Sequence, residues 1–247
     1  MTPFQKIVKY IATALAIALS VSIISGILGV AALFTGLSNA DATADNLKTY
    51  SVSQSVKNIE IDVNAANISF KKGDTLSIES NLNKLSVTEK NGTLKIKEKR
   101  LLGIFYGSAV LTVTIPENSS FEKLSINSAA GVIEIDSLNI TKKAVIDSGI
   151  AKISVNAGSY NDLDIDSGIG GLVFNGKVTG KCEINAGIGD SDITILGKKS
   201  DYSIDIDKGI GSITVDGEKI TDFESSEGDL GKIEIDGGIG SIELNFK

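Results

Sequence analysis

Carboxylates are the reactive side chains this sequence supplies in quantity. The 247 residues hold 31 Asp and Glu against 24 Lys and Arg, a net charge of −7, and no histidine. Without imidazole the chain lacks the side chain that titrates near neutral pH, so Ser-His-Asp and Cys-His nucleophiles, His-bearing zinc sites and proximal-His haem are excluded. The one cysteine, Cys182, has no internal disulfide partner, and its flanks (Gly-Lys-Cys-Glu-Ile) read as a strand in which it is a small core residue. Paired acids such as Asp164 with Asp166, or Asp190 with Asp192, alternate along strands or sit in turns, as solubilising faces do. Nothing singles out one of them as a raised-pKa general acid. The chain has no Trp, and Arg100 is its only arginine. It therefore offers neither the aromatic platform of a sugar cleft nor the cation cluster of a polyanion-cleaving site. The expectation is a protein with no catalytic residues, no cofactor and no metal, and the acidic surface argues against nucleic acid as a partner.

A repeat must position these acids. An Ile followed by Asp or Asn recurs at Ile126-Asn127, Ile146-Asp147, Ile165-Asp166, Ile184-Asn185, Ile206-Asp207 and Ile235-Asp236. Glycine stands two residues after the acid or amide at Gly149, Gly168, Gly187, Gly209 and Gly238, with Ala129 in the first copy. After each comes an alternating segment: Ile133 and Ile135, Ile153 and Val155, Leu172 and Phe174, Ile193 and Ile195, Ile213 and Val215, Ile242 and Leu244. That alternation is the signature of a half-buried strand. A unit of about 19–22 residues cannot bury its own apolar face, whereas stacked copies can. The fold class predicted is all-β, a single-stranded β-solenoid over residues 122–247. Six coils at about 4.8 Å per rung give a stack of roughly 30 Å, its hand left open. Val63-Asn64-Ala65-Ala66, with Ile68 and Phe70, reads as a degenerate earlier copy.

Stacking in register would bring Asn127, Asp147, Asp166, Asn185, Asp207 and Asp236 within roughly 5 Å of one another, which is repulsive unless water or a cation intervenes. Calcium is the obvious cation. The calcium-binding solenoid motif, however, needs an Asp where Gly209-Ile210-Gly211-Ser212-Ile213 carries an apolar residue, so solvated turn caps are the preferred reading. The wide gap between Ile206 and Ile235 places a polar insertion, Gly217 to Leu230, expected as a loop on the flank. The chain ends on the strand Ser241 to Phe246 with no capping helix, so self-association through an exposed C-terminal rung is expected.

Residues 52–121 fit the period less well and are expected to cap and extend the stack. Strands are predicted at Ile59–Val63, Thr75–Ser80, Leu85–Thr88, Thr93–Lys97 and Ala109–Ile115, with Asn91-Gly92 as a hairpin turn. Here Lys95, Lys97, Lys99 and Arg100 precede the apolar run Leu101, Leu102, Gly103, Ile104, Phe105 and Tyr106. Arg100, Leu101, Leu102, Ile104, Phe105 and Tyr106 form a candidate contact for anionic lipid or a partner, each cation near a lipid surface adding about 1 kcal/mol. The alternative is a buried connection between strands.

Tyr10 to Leu37 carries no charge and is long enough for a helix to span a bilayer. Lys6 and Lys9 precede it while Asp41 and Asp45 follow, which places residues 1–9 in the cytoplasm and the remainder outside. Residues 10–37 are read as a retained transmembrane signal anchor and 38–51 as a flexible linker; cleavage near Ala42-Thr43-Ala44 is the alternative.

Together the Ile-Asp-Ser-Gly-Ile-Gly-x-Leu/Ile repeat, the N-terminal apolar segment and the irregular β region resemble the bacterial "putative adhesin" family of β-strand repeat proteins over residues 50–247. That family is largely of unknown function and brings no active-site residues. Its relatives are often linked to cell-envelope stress in low-GC Gram-positive bacteria, and the preference for lysine over arginine here suits an AT-rich genome. The expected function is a cell-membrane-anchored, extracytoplasmic interaction module for an unidentified envelope or protein ligand. The alternatives are an envelope-stress sensor working through a protein partner, and a carbohydrate-active enzyme.

Overall fold

The computed structural model describes residues 47–82, 84–99, 109–221, 223–225 and 228–247, which are all-β apart from one 3-10 turn at Lys199–Asp201. The chain enters through β1 (Lys48–Ser51), β2 (Asn58–Gly73), β3 (Ser77–Ser80), β4 (Leu85–Lys90), β5 (Thr93–Glu98) and β6 (Val110–Pro116). The central coils are β7 (Phe121–Ile135), β8 (Leu138–Val155), β9 (Gly158–Ile169), β10 (Leu172–Val178), β11 (Lys181–Ile188) and β12 (Ser191–Ile195). β13 (Tyr202–Val215), β14 (Glu218–Ile220), β15 (Phe223–Ser225) and β16 (Gly231–Phe246) complete it.

Each coil has two main arms, joined at a Gly-Ile-Gly corner in the later copies. A third, shorter arm is formed where Leu138–Ile140 pairs with Gly158–Tyr160, and Lys177 and Val178 pair with Ser159 and Tyr160. Neighbouring coils are parallel and in register. Ile61, Ile126, Ile146, Ile165, Ile184, Ile235 and Ile206 pair rung to rung in that spatial order. All seven are buried in one continuous core, which they share with Phe70, Phe174, Tyr160 and Tyr202. Each such side chain withdraws enough apolar area from water to stabilise the fold by roughly 1.5–3 kcal/mol before entropy is counted. Cys182 lies in this core, in the column of Leu163 and Ile233, as expected; burial pushes its thiol pKa up to about 12.

Glycine is required at the corners because rungs approach there. Gly170 has φ +143°, and a Cβ on it would overlap the carbonyl oxygen of Ala151 in the next rung. Gly240, at φ +152°, stands in the same relation to Gly189.

The N-terminal region caps and extends the stack. β2 is the first rung and pairs along its length with β7, while its outer edge is covered by β5 and β6. Antiparallel β4 covers β5 through the Asn91-Gly92 turn, whose two residues have φ +51° and +72°. The degenerate copy is real, but its register differs from the sequence reading by two residues in the first arm: Ile61-Asp62, not Val63-Asn64, faces Ile126-Asn127. A similar offset occurs at β12, where Ser191 occupies the column of Leu172, and Ile193 that of Phe174. Residues 48–51, expected in the linker, instead form β1 on β3.

Two expectations at the C-terminal end are overturned. The insertion 217–230 is not a simple flank loop, because β14 and β15 fold back antiparallel on β13 and cover both of its arms. Nor is the C-terminal strand an exposed rung: β16 lies between β11/β12 on one side and β13 on the other, paired with both. The physical reason is the Asp216-Gly217 turn, at φ +47° and +81°, which sends the chain straight back along the free edge of β13. With that edge taken, β16 satisfies both its own edges by entering on the other side of β13. The C-terminal strand is therefore an interior rung, and the stack ends at β13, whose outer edge is paired at 204–206 and 213–215.

None of the described residues forms a helix long and apolar enough to cross a membrane. The proposed anchor, 10–37, lies outside the described residues.

Candidate functional site

Register converts the repeat into continuous columns on the outside of the coil. Asp62, Asn127, Asp147, Asp166, Asn185, Asp236 and Asp207 are successive partners. The sequence placed six of these in one column; Asp62 is the member it missed, and Ile61-Asp62 at the start of β2 was the available signal. The spatial order also differs, since Asp236 stands between Asn185 and Asp207. Rungs at about 4.8 Å hold these groups close, and substituting Asn for Asp relieves part of the repulsion. Asn185 Nδ2 donates to Asp166 Oδ1 at 2.6 Å. The remaining acids of the column divide into those with and without a cation: Lys97 pairs with Asp62 at 2.9 Å, whereas Asp147 and Asp236 have no ion pair among the described residues.

Beside this column the chain passes through Ser148, Ser167, Ala186 and Gly237, then Gly149, Gly168, Gly187 and Gly238. Together with Asp147, Asp166, Asn185 and Asp236 these line an open groove of about 670 Å³ running across four rungs. Its glycines stand where rungs touch: a Cβ on Gly168, Gly187 or Gly238 would overlap the carbonyl oxygen of the glycine in the adjacent rung. Ser148 is buried in its lining and its Oγ has no hydrogen-bond partner, while the equivalent Ser128 Oγ donates to Ala130 O at 3.2 Å. Of the turn residues the sequence singled out, Asp147, Gly149, Asp166, Gly168, Asn185, Gly187, Asp236 and Gly238 meet here. Asn127, Asp207 and Gly209 continue the same columns beyond the groove.

The residue after each glycine makes a second outward column that sequence periodicity did not reveal as exposed. Ile150, Ile169, Ile188, Ile239 and Ile210 are successive partners. Their exposure rises along the stack, to 39%, 50% and 72% at the last three. The Gly-Ile-Gly corner is the signal: an isoleucine at the apex of a sharp bend has no interior to point into.

Elsewhere on the outer face, ion pairs neutralise several of the acids. Lys143 Nζ meets Asp164 Oδ2 at 3.0 Å, and Lys181 bridges Glu183 and Glu234 at 2.8 and 2.6 Å. Hydrogen bonds from Lys181 and Lys232 hold the Glu234 carboxyl below the usual range, and Ser241 does the same for Asp190 through its side chain and backbone. Groups lowered in this way are poor proton donors. Among the described residues no three acids or thiols converge on one point as metal ligands would. The candidate lipid or partner contact at Arg100, Leu101, Leu102, Ile104, Phe105 and Tyr106 lies outside the described residues.

The sequence matches the family described as Toastrack DUF4097 over residues 56–230. No curated protein matches it. Among solved structures it is similar to a "putative cell adhesion protein" from Clostridium sporogenes, at 14% identity and TM-score 0.47, covering 81% of this chain and 99% of that one. A "putative adhesin" from Bacteroides fragilis aligns at 12% identity and TM-score 0.48, over 80% and 95% of the two chains. A "putative lipid binding protein" from Parabacteroides distasonis aligns at 15% identity and TM-score 0.27, over 83% and 98%.

Proposed function

Because the chain belongs to the Toastrack DUF4097 family, we propose that it is a non-catalytic binding module, held outside the cytoplasmic membrane by residues 10–37, whose solenoid presents its outward columns to a partner in the cell envelope. The observation that carries this reading is the groove across four rungs, with an acid and amide column on its lining and an exposed isoleucine column at the corner beyond it. A solenoid repeats one surface chemistry at fixed intervals, which suits recognition along a line and does not by itself assemble a catalytic centre.

In-cell crosslinking of the full chain tests it. A photoreactive residue at Ile188 or Ile239 should yield an adduct with an envelope component, and the same probe at the ion-paired face, such as Lys143, should not. Equal labelling at both positions, or none at either, removes the reading. Protease treatment of intact cells tests the topology: residues 47–247 should be digested from outside while the N-terminus stays protected. An adduct with a signalling membrane protein would turn the module into an envelope-stress sensor that uses the same surface.

A further inference from the structure

We infer that the isoleucine column and the acidic column beside it together dock an amphipathic α-helix of a protein partner, one whose apolar stripe is bordered by lysine or arginine. The inference rests on the binding-module reading and adds the chemistry of the occupant.

Three observations carry it. The first is apolar: Ile188, Ile239 and Ile210 lie side by side with large exposures, and Ile169 and Ile150 continue the line. Single exposed apolar residues are ordinary, but three in a row, continued by two half-buried ones on adjacent rungs, make a strip about 19 Å long, which is the pattern that marks an interaction surface. The second is charge. Among the described residues Asp147 and Asp236 have no ion pair and Asp166 takes a hydrogen bond from the neutral Asn185, while Lys143, Lys181 and Lys232 are committed to Asp164, Glu183 and Glu234. A second copy of the chain would bring a like-charged column against this one, and an anionic lipid surface would meet the same repulsion; a cationic flank is attracted.

The third is spacing. Rungs repeat at about 4.8 Å, a helix turns every 5.4 Å or so, and alternate residues of an extended peptide are about 6.8 Å apart. Across the four intervals of the isoleucine strip a helical stripe drifts by about 2.4 Å, within what side chains absorb, while an extended peptide drifts by about 8 Å. A helix can therefore place an apolar side chain at each rung, and an extended peptide cannot. The groove of glycines gives the helix's cationic flank close access to the carboxylates.

The test uses the full-length chain in a neutral detergent and a fluorescent peptide of about 18 residues, roughly five helical turns, with leucine on one face and lysine beside it. Fluorescence anisotropy is read against detergent alone. Saturable binding is expected, weakened by added salt because exposed charges are screened. A scrambled peptide of the same composition should bind about tenfold or more weakly, and so should a peptide with glutamate in place of lysine. Ile239→Ser with Ile210→Ser, both on the surface and so tolerated by the fold, should cost about tenfold in affinity with no change in thermal midpoint. Asp147→Asn with Asp236→Asn should flatten the salt dependence. Equal affinity for the glutamate peptide or the scrambled peptide, or unchanged binding by the isoleucine variant, overturns the proposal. Absence of binding by a chain that still gives its adduct at Ile188 in cells overturns the helix while leaving the binding-module reading in place.

Discussion

The coils from β7 to β12 and the segment from β13 to β16 are built from the same repeat, yet the first group stacks in chain order and the second does not. In the first, each coil lies on the one before it with an offset of about 19 residues, Ile146 on Ile126 and Ile165 on Ile146. In the second, Ile184 meets Ile235, and Ile206 lies beyond it. Every rung offers its neighbour the same columns, so the side chains fix register while leaving order nearly free. Order is decided by what connects the strands. Short links such as Asn156-Ala157 or Thr179-Gly180 carry the chain to the next rung, whereas the Asp216-Gly217 turn sends it back along the strand it has just left.

The most severe way to break this comparison is to stop the chain after Leu230. β16 is the element joining β13 to the coils, so its loss should expose the edges of both β12 and β13 and abolish the cooperative melt of the C-terminal half. Amide exchange should show protection surviving only toward β7 and β8. A truncated chain that melts as the full one does would return β16 to a peripheral role.

Next in size are paired core truncations. Ile184 and Ile235 are both buried and adjacent in the same column, one in the chain-ordered group and one in the intercalated strand. Ile184→Ala and Ile235→Ala should each cost about 2–5 kcal/mol, read from urea unfolding, since each leaves a cavity between two rungs. A markedly smaller loss at Ile235 would mean that β16 frays as an end rung does.

The turn that sets the order should give a smaller effect. Gly217 has φ +81° with open space around its α-carbon, so Gly217→Ala is strained by its backbone alone and should cost about 1–2 kcal/mol. Gly170→Ala, where a Cβ would also strike the backbone of the next rung, should cost distinctly more. Equal losses would show that the corner relaxes easily.

Smallest is the pH response. The folded state depresses the Glu234 carboxyl through Lys181 and Lys232, so its contribution is complete above the ordinary value near 4.5 and is lost as pH falls through the lowered one. Glu234→Gln should flatten part of the acid limb of the stability profile by lowering stability slightly at neutral pH while leaving low pH nearly unchanged. Because the group is close to the surface the effect is modest. In the same melts calcium and a chelator should leave the midpoint where it is, since among the described residues no three carboxylates converge.

Much of this molecule was legible in its residues because a solenoid writes its geometry into a local period. The isoleucines that face inward, the Asp and Asn column beside them, the corner glycines, the Asn91-Gly92 hairpin and the buried Cys182 all follow from spacing. The two-residue offsets at Ile61 and Ser191 were not, because alternating segments slide by two residues at little cost to their pattern. The exposed isoleucine column escaped for a related reason. Hydropathy places isoleucine inside, and only the bend between two glycines turns it out.

What the sequence determined by itself is the cross-section of the rung and the family of register-matched columns, since these depend on residues within one period. The tertiary structure alone decided the order of the last rungs, the capping of β13 by the insertion, and which apolar column meets water. Those outcomes depend on which strand edge is still free when the chain returns, and an edge belongs to the assembled sheet, so no local pattern can report it.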